Sequence, residues 1–193
     1  MIIGITGGIG SGKSTVSQIF ELLGCAVFNS DEVAKNIYFE KEIKNQVLQL
    51  LGPEAYLSDV QLNKPFINSK IFSNTDLLQQ LNAIIHPAVM HKFGEFVKHS
   101  KAKLILKETA LLFEAHLESG CDKIIVVAAN DELRIKRVML RDKLNKEAVL
   151  KKIQNQLSQE DKIKKADYVI TNNEDTLVIP KVIELFKLLH SIV

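Results

Sequence analysis

The sequence predicts an α/β fold of three layers, with helices on both faces of a five-stranded parallel sheet, a helical insert and a helical lid. Three observations predict it. Short apolar segments at residues 2–6, 25–28, 104–108, 124–127 and 168–171 alternate with stretches of helical periodicity, the pattern of parallel strands joined by helical crossovers. The first segment runs straight into Gly7-Gly8-Ile9-Gly10-Ser11-Gly12-Lys13-Ser14, which satisfies the phosphate-binding pattern GxxxxGK[ST] and makes this a P-loop nucleotide-binding fold. Between the second and third strands lie residues 29–103, helical in pattern and far longer than a crossover requires.

The glycine-rich turn carries the chemistry. Its backbone must close tightly around an anion, in conformations that glycine adopts cheaply and with no Cβ between amide and phosphate. The helix that begins near Lys13 points its unpaired N–H groups and positive dipole end at the same anion. Gly8, Gly10, Ser11, Gly12 and Thr15 are therefore candidate nucleotide contacts, with Lys13 on the β- and γ-phosphate oxygens. The hydroxyl of Ser14 would be a ligand for Mg²⁺. A dinucleotide-binding turn does not fit, since it needs glycine where Ser11 and Lys13 stand.

After the loop, Val16, Ile19, Phe20, Leu22 and Leu23 recur at helical spacing and Gly24 supplies the stop. The strand Cys25–Phe28 ends at Asn29-Ser30-Asp31-Glu32. In open parallel sheets ligands gather beyond the carboxyl ends of the strands, which makes Asp31 a candidate catalytic acid; Ser30-Asp31-Glu32 equally suits the start of a helix. Helical periodicity runs on through Val33, Ile37, Ile43, Val47 and Leu51 to the break at Gly52-Pro53. Residues 56–63 read as irregular, 65–72 and 75–85 as helices, and Pro87 as the opening of the next helix, with His86 at the junction. No strand is expected in this excursion, which reads as a subdomain for a second substrate: residues 33–100, set into a core of 1–32 and 101–193.

Leu104–Glu108 is an apolar strand that ends in an acid, the arrangement that brings a carboxylate near a P-loop metal ion. Glu114 reads as a polar-site or helix-surface residue. The β-branched run Ile124–Val127 suits a strand buried on both faces, and Asp131 then caps a helix. Arg134, Arg137 and Arg141 share one face of that helix, either as a solvated basic face or as cations closing over a migrating phosphoryl group. The polar stretch to Lys165 has few large residues, and a lid is expected over residues 134–165. A loop after Tyr168–Thr171 places Asn172 near the nucleotide base, and a terminal helix is expected from Asp175 to Leu189.

At 193 residues, with 46% apolar and 25% charged residues, the chain is an ordinary globular protein, and a net charge of +2 gives no electrostatic case for nucleic acid. Cys25 and Cys121 belong to no metal-ligand cluster and are consistent with a reducing, cytoplasmic setting. No secretory or membrane-spanning segment is evident, and a monomer is the expected state.

The opening IGITGGIGSGKSTV resembles that of the dephospho-coenzyme A kinase family almost letter for letter. The likeness continues through LNAIIHPAV around His86, ETALLFE from Glu108 to Glu114, RVMLRD from Arg137 to Asp142, and KADYVITNN from Lys165. The resemblance implies ATP-dependent phosphorylation of the ribose 3′-hydroxyl of dephospho-CoA, the last step of coenzyme A synthesis. It gives Asp31 the role of base for that hydroxyl, Lys13, Arg137 and Arg141 phosphate-binding and lid roles, and residues 33–100 the acceptor. The chain departs from the family's pattern at Asn29, which replaces an acid, at Glu108 for aspartate, at Ala110 for proline, at Lys64 for arginine and at Thr171 for an acid. The alternatives are another small-molecule P-loop kinase, acting on a nucleoside monophosphate or small hydroxy acid, or a nucleotide-sensing P-loop protein without transfer.

Overall fold

The computed structural model describes residues 1–72 and 74–193. In chain order the elements are β1 (Ile2–Thr6), α1 (Lys13–Leu22), β2 (Ala26–Asn29), α2 (Ser30–Ile37), α3 (Lys41–Leu51), β3 (Tyr56–Ser58), β4 (Gln61–Leu62), α4 (Lys64–Phe72) and α5 (Thr75–His99). There follow β5 (Ile105–Glu108), β6 (Lys123–Ala128), α6 (Asp131–Asp142), α7 (Lys146–Gln154), α8 (Gln159–Lys164), β7 (Tyr168–Thr171) and α9 (Val178–Ser191). They form two compact units, Met1–Asn29 with Ser100–Val193, and Ser30–His99.

The first unit is built on a five-stranded sheet in the order β2-β5-β1-β6-β7, every pair parallel. β1 is central, so IIGIT is covered on both faces and reads as a continuous apolar run. Alternation assigns the faces. Ile3, Ile5, Leu106, Ile125 and Val127 pack under α1 and α9 with Phe20, Val182 and Leu189, while Ile124 and Val126 pack beneath Leu112 and Phe113. Because all strands run the same way, their carboxyl ends share one edge: Ile5 pairs with Glu108, and Glu108 with Asn29. The P-loop leaves β1 at that edge.

The second unit is helical apart from one small hairpin, and it departs from the sequence expectation in three places. The helix expected from Val33 to Leu51 is two helices, broken at residues 38–40. The six-residue step from Ile37 to Ile43 carries the apolar stripe off the first helix's face, and the Tyr56 hydroxyl donates to the Tyr38 carbonyl freed at the break, at 2.7 Å. Residues 56–62, expected to be irregular, form the antiparallel pair β3–β4; Leu57 and Val60 face solvent there, so no alternating burial marked it. The two helices expected to meet at Pro87 are the single helix α5. Proline removes one backbone donor and crowds the carbonyl four residues before it, but Leu81, Ile85, Val89 and Phe93, spaced by four on either side of it, are all buried and hold the helix through. His86 is thus an exposed mid-helix residue, not a junction.

Two smaller differences lie in the first unit. Asp131 is the first residue of α6 rather than its cap, which is Asn130. α9 starts at Val178, not Asp175, because Thr176 Oγ1 accepts the Asn173 N–H at 2.8 Å and ties residues 172–177 into a loop.

Candidate active site

The P-loop is held through its carbonyls. Lys13 Nζ donates to Gly7 O at 2.9 Å, the Ser11 N–H to Gly8 O at 3.1 Å, Arg134 Nε to Ile9 O at 3.1 Å and Asn172 Nδ2 to Ser11 O at 2.8 Å. Arg137 Nη1 lies 3.5 Å from Gly10 O and donates to Asn172 O at 3.1 Å. In a trans peptide the N–H points opposite to the C=O, so with the Ile9 and Ser11 carbonyls held by Arg134 and Asn172 the N–H groups of Gly10 and Gly12 point away from those side chains. The first N–H groups of α1 add to them. A loop of this form suits an anion.

Glycine is required at two of those positions. Gly10 and Gly12 have φ of 81° and 90°, and a Cβ on Gly12 would run into Asn172 Nδ2, one on Gly10 into the Arg134 carbonyl oxygen at 2.5 Å. The packing that excludes a side chain is made by the same residues that hold the carbonyls. Ser11 contributes through its backbone, its hydroxyl being buried. Thr15 stands exposed on the first turn of α1.

Glu108 is brought onto the loop as its position at the end of β5 predicts. Ser14 Oγ donates to Glu108 Oε1 at 2.8 Å, and Glu108 is 4% exposed. A hydroxyl and a carboxylate held together are hard oxygen donors at the place where a P-loop metal binds.

The three arginines of α6 separate by function of position. Arg134 is 3% exposed, clamped between Ile9 O and Asp131, whose Oδ1 accepts from Nη1 at 2.6 Å. Arg137 is partly buried over Gly10 and Asn172. Arg141 turns away to Asp142, with Nε to Oδ1 at 2.7 Å, and its side chain is 62% exposed. That contact and Lys152 hold the Asp142 carboxyl down at about 2. Asp31 is the second residue of α2, in the helical unit, two residues beyond the Asn29 that pairs with Glu108.

Several contacts carried no sequence signal. Gln156 Oε1 accepts the Ile9 N–H at 2.8 Å. Lys162, in the polar stretch expected to be lid, is fully buried, donating to Ala110 O at 2.9 Å and to Glu114 Oε1 at 2.8 Å. Glu114 Oε1 also accepts the Leu157 N–H. Burial pushes the Glu114 carboxyl up, but the Lys162 and backbone hydrogen bonds outweigh it and leave its pKa below the ordinary value. α8 is therefore tied into the sheet unit.

Replacing Lys162 by methionine strands the Glu114 charge, and a destabilisation of about 3 kcal/mol is expected from chemical denaturation at pH 7. A carboxyl whose folded pKa is depressed stabilises above its unfolded value and loses that contribution as pH falls through the folded one. The variant should accordingly lose less additional stability than the parent when the pH is lowered from 5 to below 4.

The sequence profile of the dephospho-CoA kinase family matches residues 1–177. The chain belongs to the dephospho-CoA kinase family. It is 38% identical to the dephospho-CoA kinase of Fusobacterium nucleatum over 186 residues, 96% of each chain, and 36% identical to that of Bacteroides fragilis, across 97% of this chain and 92% of the relative. Among solved structures it matches one from Thermus thermophilus with a TM-score of 0.86 at 34% identity, covering 99% of this chain and 96% of the other. The dephospho-CoA kinase of Campylobacter jejuni matches with a TM-score of 0.69 at 26% identity, covering 97% and 96%. A shikimate kinase from Acinetobacter baumannii, at 18% identity and a TM-score of 0.53, shares the fold. These matches bear out the P-loop kinase fold and the family resemblance read from the motifs.

Proposed function

We propose that this chain transfers the γ-phosphoryl group of ATP to the ribose 3′-hydroxyl of dephospho-CoA, giving coenzyme A and ADP. The observation that carries the reading is the family match across residues 1–177. It spans the P-loop, which any kinase of this fold would share, and also all of Ser30–His99, where the family's acceptor would bind. The residues of the helical unit, Lys64 included, hold dephospho-CoA.

Phosphoryl transfer asks little covalent chemistry of the protein and much positioning. The N–H groups of Gly8, Gly10 and Gly12 and the start of α1 take the phosphate oxygens, and Lys13 supplies the cation at the β/γ junction. Ser14 and Glu108 fit Mg²⁺: one neutral and one anionic oxygen stand 2.8 Å apart, and the carboxylate is otherwise buried. Such an ion would supply positive charge to offset that of the phosphates. Asp31 orients the acceptor hydroxyl and takes its proton. Arg137, partly buried against the loop, and Arg141, released from Asp142, close over the migrating group and exclude water; within the lid of residues 134–165, α7 and the turn before it are the part that moves. Asn172, whose amide grips Ser11 O, borders the nucleotide. The setting is cytoplasmic, in keeping with the free thiols of Cys25 and Cys121. None of the described helices is long and apolar enough to cross a membrane.

The test is ADP release with dephospho-CoA, AMP and shikimate as competing acceptors. Turnover with dephospho-CoA alone is expected; turnover of another acceptor and none of dephospho-CoA would overturn the assignment.

A further inference from the structure

Ile9 has both of its backbone groups gripped by side chains from distant parts of the chain: Gln156 Oε1 takes the N–H at 2.8 Å and Arg134 Nε donates to the C=O at 3.1 Å. The two peptides flanking Ile9 are thereby fixed in opposite senses. The second of them carries the Gly10 N–H, which points away from Arg134.

Gln156 is not a loosely placed surface residue. It follows α7, its own N–H donates to Ile153 O at 3.0 Å, and its neighbour Leu157 donates to Glu114 Oε1. Next come Ser158, which caps α8 by accepting the Asp161 N–H at 3.1 Å, and Gln159, whose Oε1 accepts the Ala129 N–H at 3.0 Å. Lys162, fully buried on Ala110 O and Glu114, anchors the whole turn. The segment 156–162 thus touches the loops after β1, β5 and β6 at once. A glutamine carboxamide suits this place: it accepts one N–H without bringing a negative charge beside the phosphates, which a glutamate would do.

We propose that Gln156 is a positioning residue for phosphoryl transfer, holding the Ile9 peptide so that the P-loop presents its amides to the triphosphate and coupling the end of α7 to that loop. The inference rests on the kinase reading above, and its test includes a readout that needs no acceptor.

Gln156→Met preserves length and removes the acceptor. It should weaken binding of a non-hydrolysable ATP analogue by about tenfold and lower kcat by a similar factor, with KM for the acceptor unchanged. Gln156→Glu restores the acceptor oxygen and should recover kcat, while its charge raises KM for ATP. If Gln156→Met binds the analogue as tightly as the parent with the same kcat, or if Gln156→Glu is no better than Gln156→Met in kcat, the proposal is wrong. Analogue affinity is titrated without acceptor, and kcat is read with whichever acceptor the parent phosphorylates. A wrong acceptor therefore overturns the functional assignment and leaves this test standing.

Discussion

Replacing Lys13 by methionine is expected to lower kcat about 10³-fold, the scale of losing one charged donor aimed at charge that develops in the transition state. Lys13 Nζ also straps the loop by donating to Gly7 O at 2.9 Å, so its loss loosens that loop and weakens the ground-state complex as well. A rise in KM for ATP should therefore accompany the fall in kcat. Lys13→Arg should not restore the rate, because a planar fork cannot take the place of a compact ammonium between loop carbonyl and phosphate. Steady-state kinetics in both substrates checks this; a fall in kcat of less than about tenfold would show that the transferring phosphoryl group does not depend on this residue.

Asp31→Asn is expected to lower kcat by about 10³-fold with ATP affinity unchanged, since the amide keeps the shape of the side chain but turns one acceptor oxygen into a donor and cannot take up a proton. The alternative role of Asp31 is electrostatic, as an acid in the first turn of α2. That role is worth a fraction of a kcal/mol to about 1 kcal/mol in stability and predicts a small shift in the unfolding midpoint with turnover intact. Measuring kcat and thermal unfolding on the same variant separates the two, and a variant with near-parental turnover would remove Asp31 from the chemistry.

What the sequence made legible follows from how local each signal is. The contact of Ser14 with Glu108 was readable because a P-loop fixes its serine by chain geometry and a parallel sheet fixes where β5 ends. The positive φ at Gly10 and Gly12 was readable for the same reason. The five strands were legible as apolar runs because the central ones are buried on both faces. The hairpin β3–β4 was not, being two-sided and exposed, nor was the continuity of α5 through Pro87, which depends on packing rather than on propensity. Arg134 and Arg137 were visible as a charged face, but nothing in their spacing says that one is clamped on Ile9 O and the other over Gly10. The grip of Gln156 on Ile9, and of Lys162 on Glu114, joins residues far apart in the chain through side chains with no periodic pattern, inside a stretch whose composition reads as solvated.

The central claim is that the P-loop brings a phosphoryl group against an alcohol held by the helical unit, with Asp31 as the base. A crystal structure with dephospho-CoA and a non-hydrolysable ATP analogue tests it most directly. The account predicts an Asp31 carboxylate oxygen within about 3 Å of the ribose 3′-hydroxyl, and that hydroxyl in line with the γ-phosphorus. A ternary complex in which Asp31 is separated from the hydroxyl by more than one intervening water, or in which the hydroxyl faces away from the γ-phosphorus, would contradict it.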